Sequence, residues 1–222
     1  MSFTNDIRAH ADGLHQSIFS HPFVTGIGDG TLDVERFKHF IKQDYIFLIE
    51  YSRVLALASA RAPSLEPMSR FAQLLNETLN TEMALHRGYC ARFGISQADL
   101  EAAQPTPTTQ AYTDFLVRTG YHGSFAELAA ALLPCMWGYC EIGLRLAQQG
   151  KPANQPLYAE WIDMYSSPEF QALAQWLRGL VDRLAETAGA EDRARMEAAY
   201  VTSTRYEHAF WDMAWRLEQW PV

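Results

Sequence analysis

Cysteine is scarce in this chain, with only Cys90, Cys135 and Cys140 among 222 residues. They form no CxxC pair and leave an odd thiol, which argues against a disulfide framework and predicts a reducing, cytoplasmic setting. Basic charge is also short: 18 Lys plus Arg stand against 26 Asp plus Glu, a formal net charge of −8. Such a surface repels phosphate backbones and anionic lipid, so neither nucleic acid nor a membrane surface is an expected partner. No useful segment alternates apolar and polar residues as a half-buried strand does. Charges bound every apolar run short of the roughly 18 residues that a membrane span needs. The opening MSFTNDIRAHADGLHQ lacks the apolar centre of a signal peptide, which predicts an unprocessed, soluble chain. Internal repeats and low-complexity tracts are missing too, so a single domain over residues 1–222 is expected.

What the chain has in plenty is apolar and aromatic surface: 48% of its residues are hydrophobic, with twelve Phe, ten Tyr and six Trp. These recur at three- and four-residue steps, which makes the fold class all-α and the architecture a multi-helix bundle. Helices are predicted over 4–19, 33–62, 65–93, 108–120, 124–150, 155–165, 168–189 and 191–220. His21-Pro22, Pro63 and Gly94 serve as stops. Gly26, Gly28 and Gly30 follow no strand and precede no Lys-Ser/Thr, so they read as a turn rather than a phosphate cradle. The polar stretch 97–109, with Pro105 and Pro107, reads as a surface connection.

The segment SFAELAAALLPCMWGYCEIGLRLAQQG, residues 124–150, organises the rest. Ser124 and Glu127 have capping-box spacing, and Gly150 stands where a helix ends. Pro134 cannot donate to the carbonyl of Ala130, so a kink or opened turn is predicted beside Cys135. Tyr139 lies one turn further along the same face. A free cysteine is often a buried, inert residue, and Cys135 fits that description as well as that of a nucleophile.

Asp44 sits among Phe40, Ile41, Phe47 and Leu48, where an ionised carboxylate needs a partner, such as Lys or Arg, or a chemical purpose. Glu207 lies in TRYEHAFWDMAW beside Phe210 and Trp211, surroundings that raise a carboxyl pKa. Tyr112, Tyr139 and Tyr165 are core tyrosines unless they converge. Glu82 and His86 stand four apart on one helix, and His208 follows Glu207. Neither HExxH nor the paired ExxH of di-iron bundles is present, and no metal or other cofactor is expected.

With HPFVTGIGDGTL leading into FKHFIKQDYIFL, then LHRGYCARFGI, LLPCMWGYCEIG, WIDMYSS and TSTRYEHAFWDMA in that order, the sequence resembles the TenA, or thiaminase II, family over essentially its whole length. That resemblance implies a haem-oxygenase-like bundle. It also implies a hydrolase that releases hydroxymethylpyrimidine from thiamin or degraded aminopyrimidines in thiamin salvage. It further implies that Cys135 is the nucleophile, that Asp44 and Glu207 hold the pyrimidine, and that Tyr112 and Phe210 flank its ring, with Tyr139 and Tyr165 completing the hydrogen bonding. Phe47 stands where a tyrosine is common in the family. The chain falls in the cysteine-containing branch, and a homotetramer is the implied assembly. Two other readings stay open on sequence: a haem- or metal-dependent oxygenase of the same fold with His10 or His15 as ligand, and a non-catalytic binding or regulatory protein for thiamin-like ligands.

Overall fold

The computed structural model describes residues 2–221, apart from the side chains at 81, 82 and 85, and among them it contains helices and no strand. Short α1 (Phe3–His10), α2 (Asp12–Phe19) and α3 (Pro22–Asp29) lead into the long α4 (Val34–Arg61). Then α5 (Leu65–Glu77) passes through a π turn (Thr78–Glu82) into α6 (Met83–Arg92), followed by α7 (Gln97–Glu101) and α8 (Pro107–His122). Next, α9 (Phe125–Leu133) runs through a second π turn (Pro134–Gly138) into α10 (Tyr139–Gln149). The chain finishes with α11 (Pro156–Ser166), α12 (Pro168–Thr187) and α13 (Ala190–Arg216).

The core is built around α9. Every residue from Leu128 to Leu133 is fully buried, because α4, α8, α12 and α13 pack around this helix. Its small residues, Ala129 to Ala131, let those neighbours approach closely. The whole helix from Phe125 to Gln149 is long and apolar enough to cross a membrane, yet 67% of its most apolar window is buried inside the fold. That apolar surface is therefore the wall of the core. The predicted capping box is present in both directions, with the Glu127 amide donating to Ser124 Oγ at 3.1 Å and the Ser124 amide donating to Glu127 Oε1 at 3.1 Å.

Several boundaries differ from expectation for identifiable reasons. The first predicted helix breaks at Ala11, whose φ of −93° and ψ of 9° leave the helical region. The expected glycine turn is instead α3. Within that helix Gly26 stands where a Cβ would lie 3.1 Å from the Leu32 backbone, and Gly28 where one would lie 2.7 Å from Leu146 Cδ2. Only Gly30, with φ of 75°, acts as a turn residue. The connection at 97–109 folds into α7 behind a reciprocal Ser96/Asp99 cap. Pro134 produces the predicted opened turn, whereas the π turn over TLNTE carries no Pro or Gly to announce it.

Two glycines of the organising helix make opposite predictions. At Gly143 a Cβ would meet the Tyr165 carbonyl carbon at 2.6 Å and the Ser166 nitrogen at 2.8 Å, both backbone atoms that cannot step aside. Gly143→Ala is therefore expected to destabilise the protein by about 1–3 kcal/mol through overpacking. At Gly138 nothing lies within 4 Å of such a Cβ, and Gly138→Ala gains helix propensity of roughly 1 kcal/mol. Thermal denaturation of the two variants beside the parent checks both signs.

Candidate active site

The second π turn delivers Cys135 to the wall of a cavity of about 970 Å³, the upper end of the usual range for small-molecule sites. Asp44, Phe47, Tyr112, Cys135, Tyr139, Tyr165, Glu207 and Phe210 all line this one cavity, so every site residue expected from the sequence converges there. They come from α4, α8, the second π turn, α10, α11 and α13. The aromatic members pack against one another: Phe47 lies 5.1 Å from Tyr112 and 5.9 Å from Phe210 between ring centroids, and Tyr139 lies 4.9 Å from Tyr165. They give the cavity an aromatic wall.

At the inner end the Tyr112 oxygen lies 3.0 Å from Cys135 Sγ, 2.9 Å from Ser203 Oγ and 2.6 Å from Glu207 Oε1. Ser203 also donates to the carbonyl of Ala131 at 2.7 Å. The phenol proton goes to Glu207 Oε1 and the Ser203 proton to the Ala131 carbonyl, so the Tyr112 hydroxyl bridges the Cys135 sulfur and the Glu207 carboxyl.

Burial, opposed by hydrogen bonds from Tyr112 and Cys135 and assisted by the charge of Asp44, pushes Glu207 up to about 7 from a usual 4.5. Burial and the neighbouring Glu207 carboxylate hold Cys135 well above the ordinary thiol range, against the lowering effect of Tyr112. The resting sulfur is thus a thiol, and a nearby base must take its proton before it can attack. Burial likewise raises Tyr112 and Tyr139 well above the usual phenol range. A thiol, a carboxyl that titrates near neutrality and a phenol joining them can together move one proton.

Asp44, for which Lys or Arg was the expected counter-ion, instead meets His86, with Nε2 at 3.2 Å from Oδ2. The other ring nitrogen of His86, Nδ1, lies 3.3 Å from Cys90 Sγ. This occupies the histidine that the sequence offered as a metal ligand; the side chain of Glu82, its suggested companion, lies outside the described residues. Among the described residues no group of three His, Cys, Asp or Glu could hold a metal ion. His10 is bonded to Glu197 at 2.8 Å and His15 Nε2 to the Tyr200 hydroxyl at 2.8 Å, and neither lines the cavity.

Two participants escaped the sequence reading. Ser203 lies one helical turn before Glu207 on α13, an i, i+4 spacing that marks a shared face. His86 was noticed for the wrong partner, since its link to Asp44 depends on how α6 docks on α4.

Comparison with known proteins places these features in context. The model of the TENA/THI-4/PQQC family matches residues 8–217. An aminopyrimidine aminohydrolase of Halalkalibacterium halodurans is 43% identical over 220 residues, covering 99% of this chain and 98% of that protein. The solved structure of a TenA homologue from P. horikoshii OT3 superposes with a TM-score of 0.89 at 30% identity, covering 97% of this chain and 99% of that one. A domain from Shewanella denitrificans described as having a haem-oxygenase-like fold is 15% identical, with a TM-score of 0.72 over 96% of this chain and 90% of that one. The bundle is therefore of the haem-oxygenase-like type.

The raised pKa of Glu207 has a consequence for stability. Its folded value exceeds its unfolded one, so the folded state binds the extra proton between about 4.5 and 7, and stability falls as pH rises through that window. Glu207→Gln removes the ionisation and keeps an acceptor for Tyr112. The variant is expected to gain stability over the parent at pH about 8, by up to roughly 3 kcal/mol, and little at pH about 5. Denaturant titrations at both pH values read the difference.

Proposed function

The chain belongs to the TENA/THI-4/PQQC family, and we propose that within it the protein is an aminopyrimidine aminohydrolase of the thiaminase II type. It hydrolyses the bond between the methylene of an aminopyrimidine and its leaving group, releasing hydroxymethylpyrimidine for thiamin salvage. The observation that carries this reading is the meeting of Cys135, Tyr112 and Glu207 in an aromatic-walled cavity that also bears Asp44. The 43% identical relative named for that activity, matched over nearly its full length, supports it.

Each group has a part. A leaving group on the methylene departs slowly from an intact aromatic ring. When substrate binds, the ionised form of Glu207 takes the thiol proton of Cys135, directly or through Tyr112, and passes it to the adjacent ring nitrogen. As it does so, Sγ adds to the neighbouring ring carbon and the C=N electron pair moves onto that nitrogen. The ring is no longer aromatic, and the electron pair of the exocyclic amine can now expel the leaving group from the methylene. Positive charge develops on that amine, where the Asp44 carboxylate accepts a hydrogen bond and stabilises it. The departing amine takes a proton from water, and the remaining hydroxide adds to the exposed methylene. The thiolate is expelled, the ring nitrogen returns its proton through Glu207 to sulfur, and aromaticity is restored.

Phe47, Tyr112 and Phe210 hold the ring flat, while Tyr139 and Tyr165 enclose the methylene side. This orientation sets the sulfur in line with one ring carbon, which is the main source of rate for an addition of this kind. A hydroxyl supplied by tyrosine at position 47 is missing here, so recognition of the ring falls more heavily on Asp44. A cytoplasmic homotetramer, the setting expected from the free thiols and the assembly expected from the family resemblance, completes the reading.

Incubation of the purified protein with aminomethylpyrimidine is expected to yield hydroxymethylpyrimidine, and binding without product would contradict the reading. Cys135→Ser should lose turnover by at least about a thousandfold while still binding the ring, because a hydroxyl in this site is a far weaker nucleophile. Glu207→Gln should be inactive across the whole pH range rather than shifted in its optimum, because the amide cannot carry the proton. Steady-state rates between mildly acidic and mildly alkaline pH distinguish the two outcomes.

A further inference from the structure

The geometry points to His86 as the residue that positions Asp44 and so makes the site selective for pyrimidines bearing a ring amine. This inference rests on the proposed aminopyrimidine reading and adds a specificity-determining residue to it. Asp44 stands on a wall of the cavity shared with Phe40, Phe47 and Leu48, where a carboxylate without a donor would be costly and free to rotate. His86 supplies the donor at 3.2 Å. Since an ionised Asp44 only accepts, the Nε2 position must carry a proton. That N–H engages Oδ2 and leaves Oδ1 to accept from a ligand.

The imidazole is itself fixed from the other side. Cys90 is fully buried, one turn along α6, and its sulfur lies 3.3 Å from Nδ1. The ring is also packed against Tyr45, with centroids 5.9 Å apart and planes tilted by 44°. Cys90, His86 and Asp44 thus form a relay running from the interior of α6 to the cavity wall, with both ring nitrogens engaged and the ring plane set by packing. Burial disfavours a charge on this imidazole, but the hydrogen bonds with Asp44 and Cys90 prevail and raise it to about 10. The imidazole engages Oδ2 of Asp44, so Oδ1 is left as an acceptor, suited to an exocyclic amine and unsuited to a ring oxygen or a bare C–H.

The arrangement also bears on Glu207, because the charge of Asp44 helps to raise it. A cation beside Asp44 offsets that influence. His86 shares the cavity wall with Asp44, and its role in this scheme is to hold the carboxylate rather than to contact the reacting atoms. It acts through Asp44, which is what separates a positioning residue from a catalytic one.

The test compares two ligands: hydroxymethylaminopyrimidine and the analogue in which hydrogen replaces the ring amine. Affinities are measured by calorimetry on the full chain for the wild type, H86L and H86Q. The wild type is expected to prefer the amine by at least about tenfold, the strength of a hydrogen bond to a charged acceptor. In H86L that preference collapses towards one, while H86Q, whose amide can donate to Asp44, regains most of it. A role limited to packing predicts equal behaviour from Leu and Gln. Should H86L lose its helical circular-dichroism signal, H86N, too short to reach Asp44, takes its place in the comparison. If the wild type shows the preference and the non-donating variant keeps it, the role of His86 is overturned while the aminopyrimidine reading stands. If the wild type binds neither ligand, both fall together.

Discussion

The site depends on one missing hydrogen. Pro134 has no N–H, and it falls where a buried, otherwise regular helix would need one. The helix answers with a π turn over Pro134–Gly138, and Cys135 occupies the widened turn. Placed in an uninterrupted α-helix, the thiol would be one more small residue against the core, like the alanines just before it. Displaced by the π turn, it meets Tyr112 and, through Tyr112, Glu207 on α13. The surrounding bundle makes this arrangement durable, since α9 is enclosed on all sides and cannot straighten without shifting its neighbours.

A second constraint is the burial of several acidic groups around one cavity. Glu207, Cys135, Tyr112 and Tyr139 are all pushed towards their protonated forms, whereas Asp44 is given a cationic partner. The result is an asymmetric cavity, with proton donors and a latent nucleophile at one end and a paired carboxylate on another wall. An aminopyrimidine has the complementary pattern, a basic ring nitrogen on one edge and an amine on another. The low stability of an ionised Glu207 is a functional concession of the kind expected where a group must titrate near neutral pH.

Much of this was legible in the sequence because local signals agreed with the fold. The Ser124/Glu127 cap, the proline before Cys135 and the aromatic setting of Glu207 each follow from chemistry within a few residues. The convergence of Asp44, Tyr112 and Glu207 was not local, and only the family resemblance anticipated it. Glycines misled at Gly26 and Gly28, which serve close helix packing rather than a turn. The π turn at Thr78–Glu82, which shares the cavity wall through Thr78, has no residue that forbids an α-helix. Ser203 and His86 stayed hidden in their roles because each depends on a contact between helices far apart in the chain.

The central claim is that the sulfur of Cys135 bonds to the pyrimidine ring during turnover. The most direct measurement quenches the wild-type enzyme in acid within its first turnover on ring-labelled aminopyrimidine and maps the label by peptide mass spectrometry. Label on Cys135 itself, assigned by fragment ions and rising and decaying at the rate of turnover, is the predicted result. Product formed with no label on Cys135 at any time, or label confined to Cys90 or Cys140, would contradict the account.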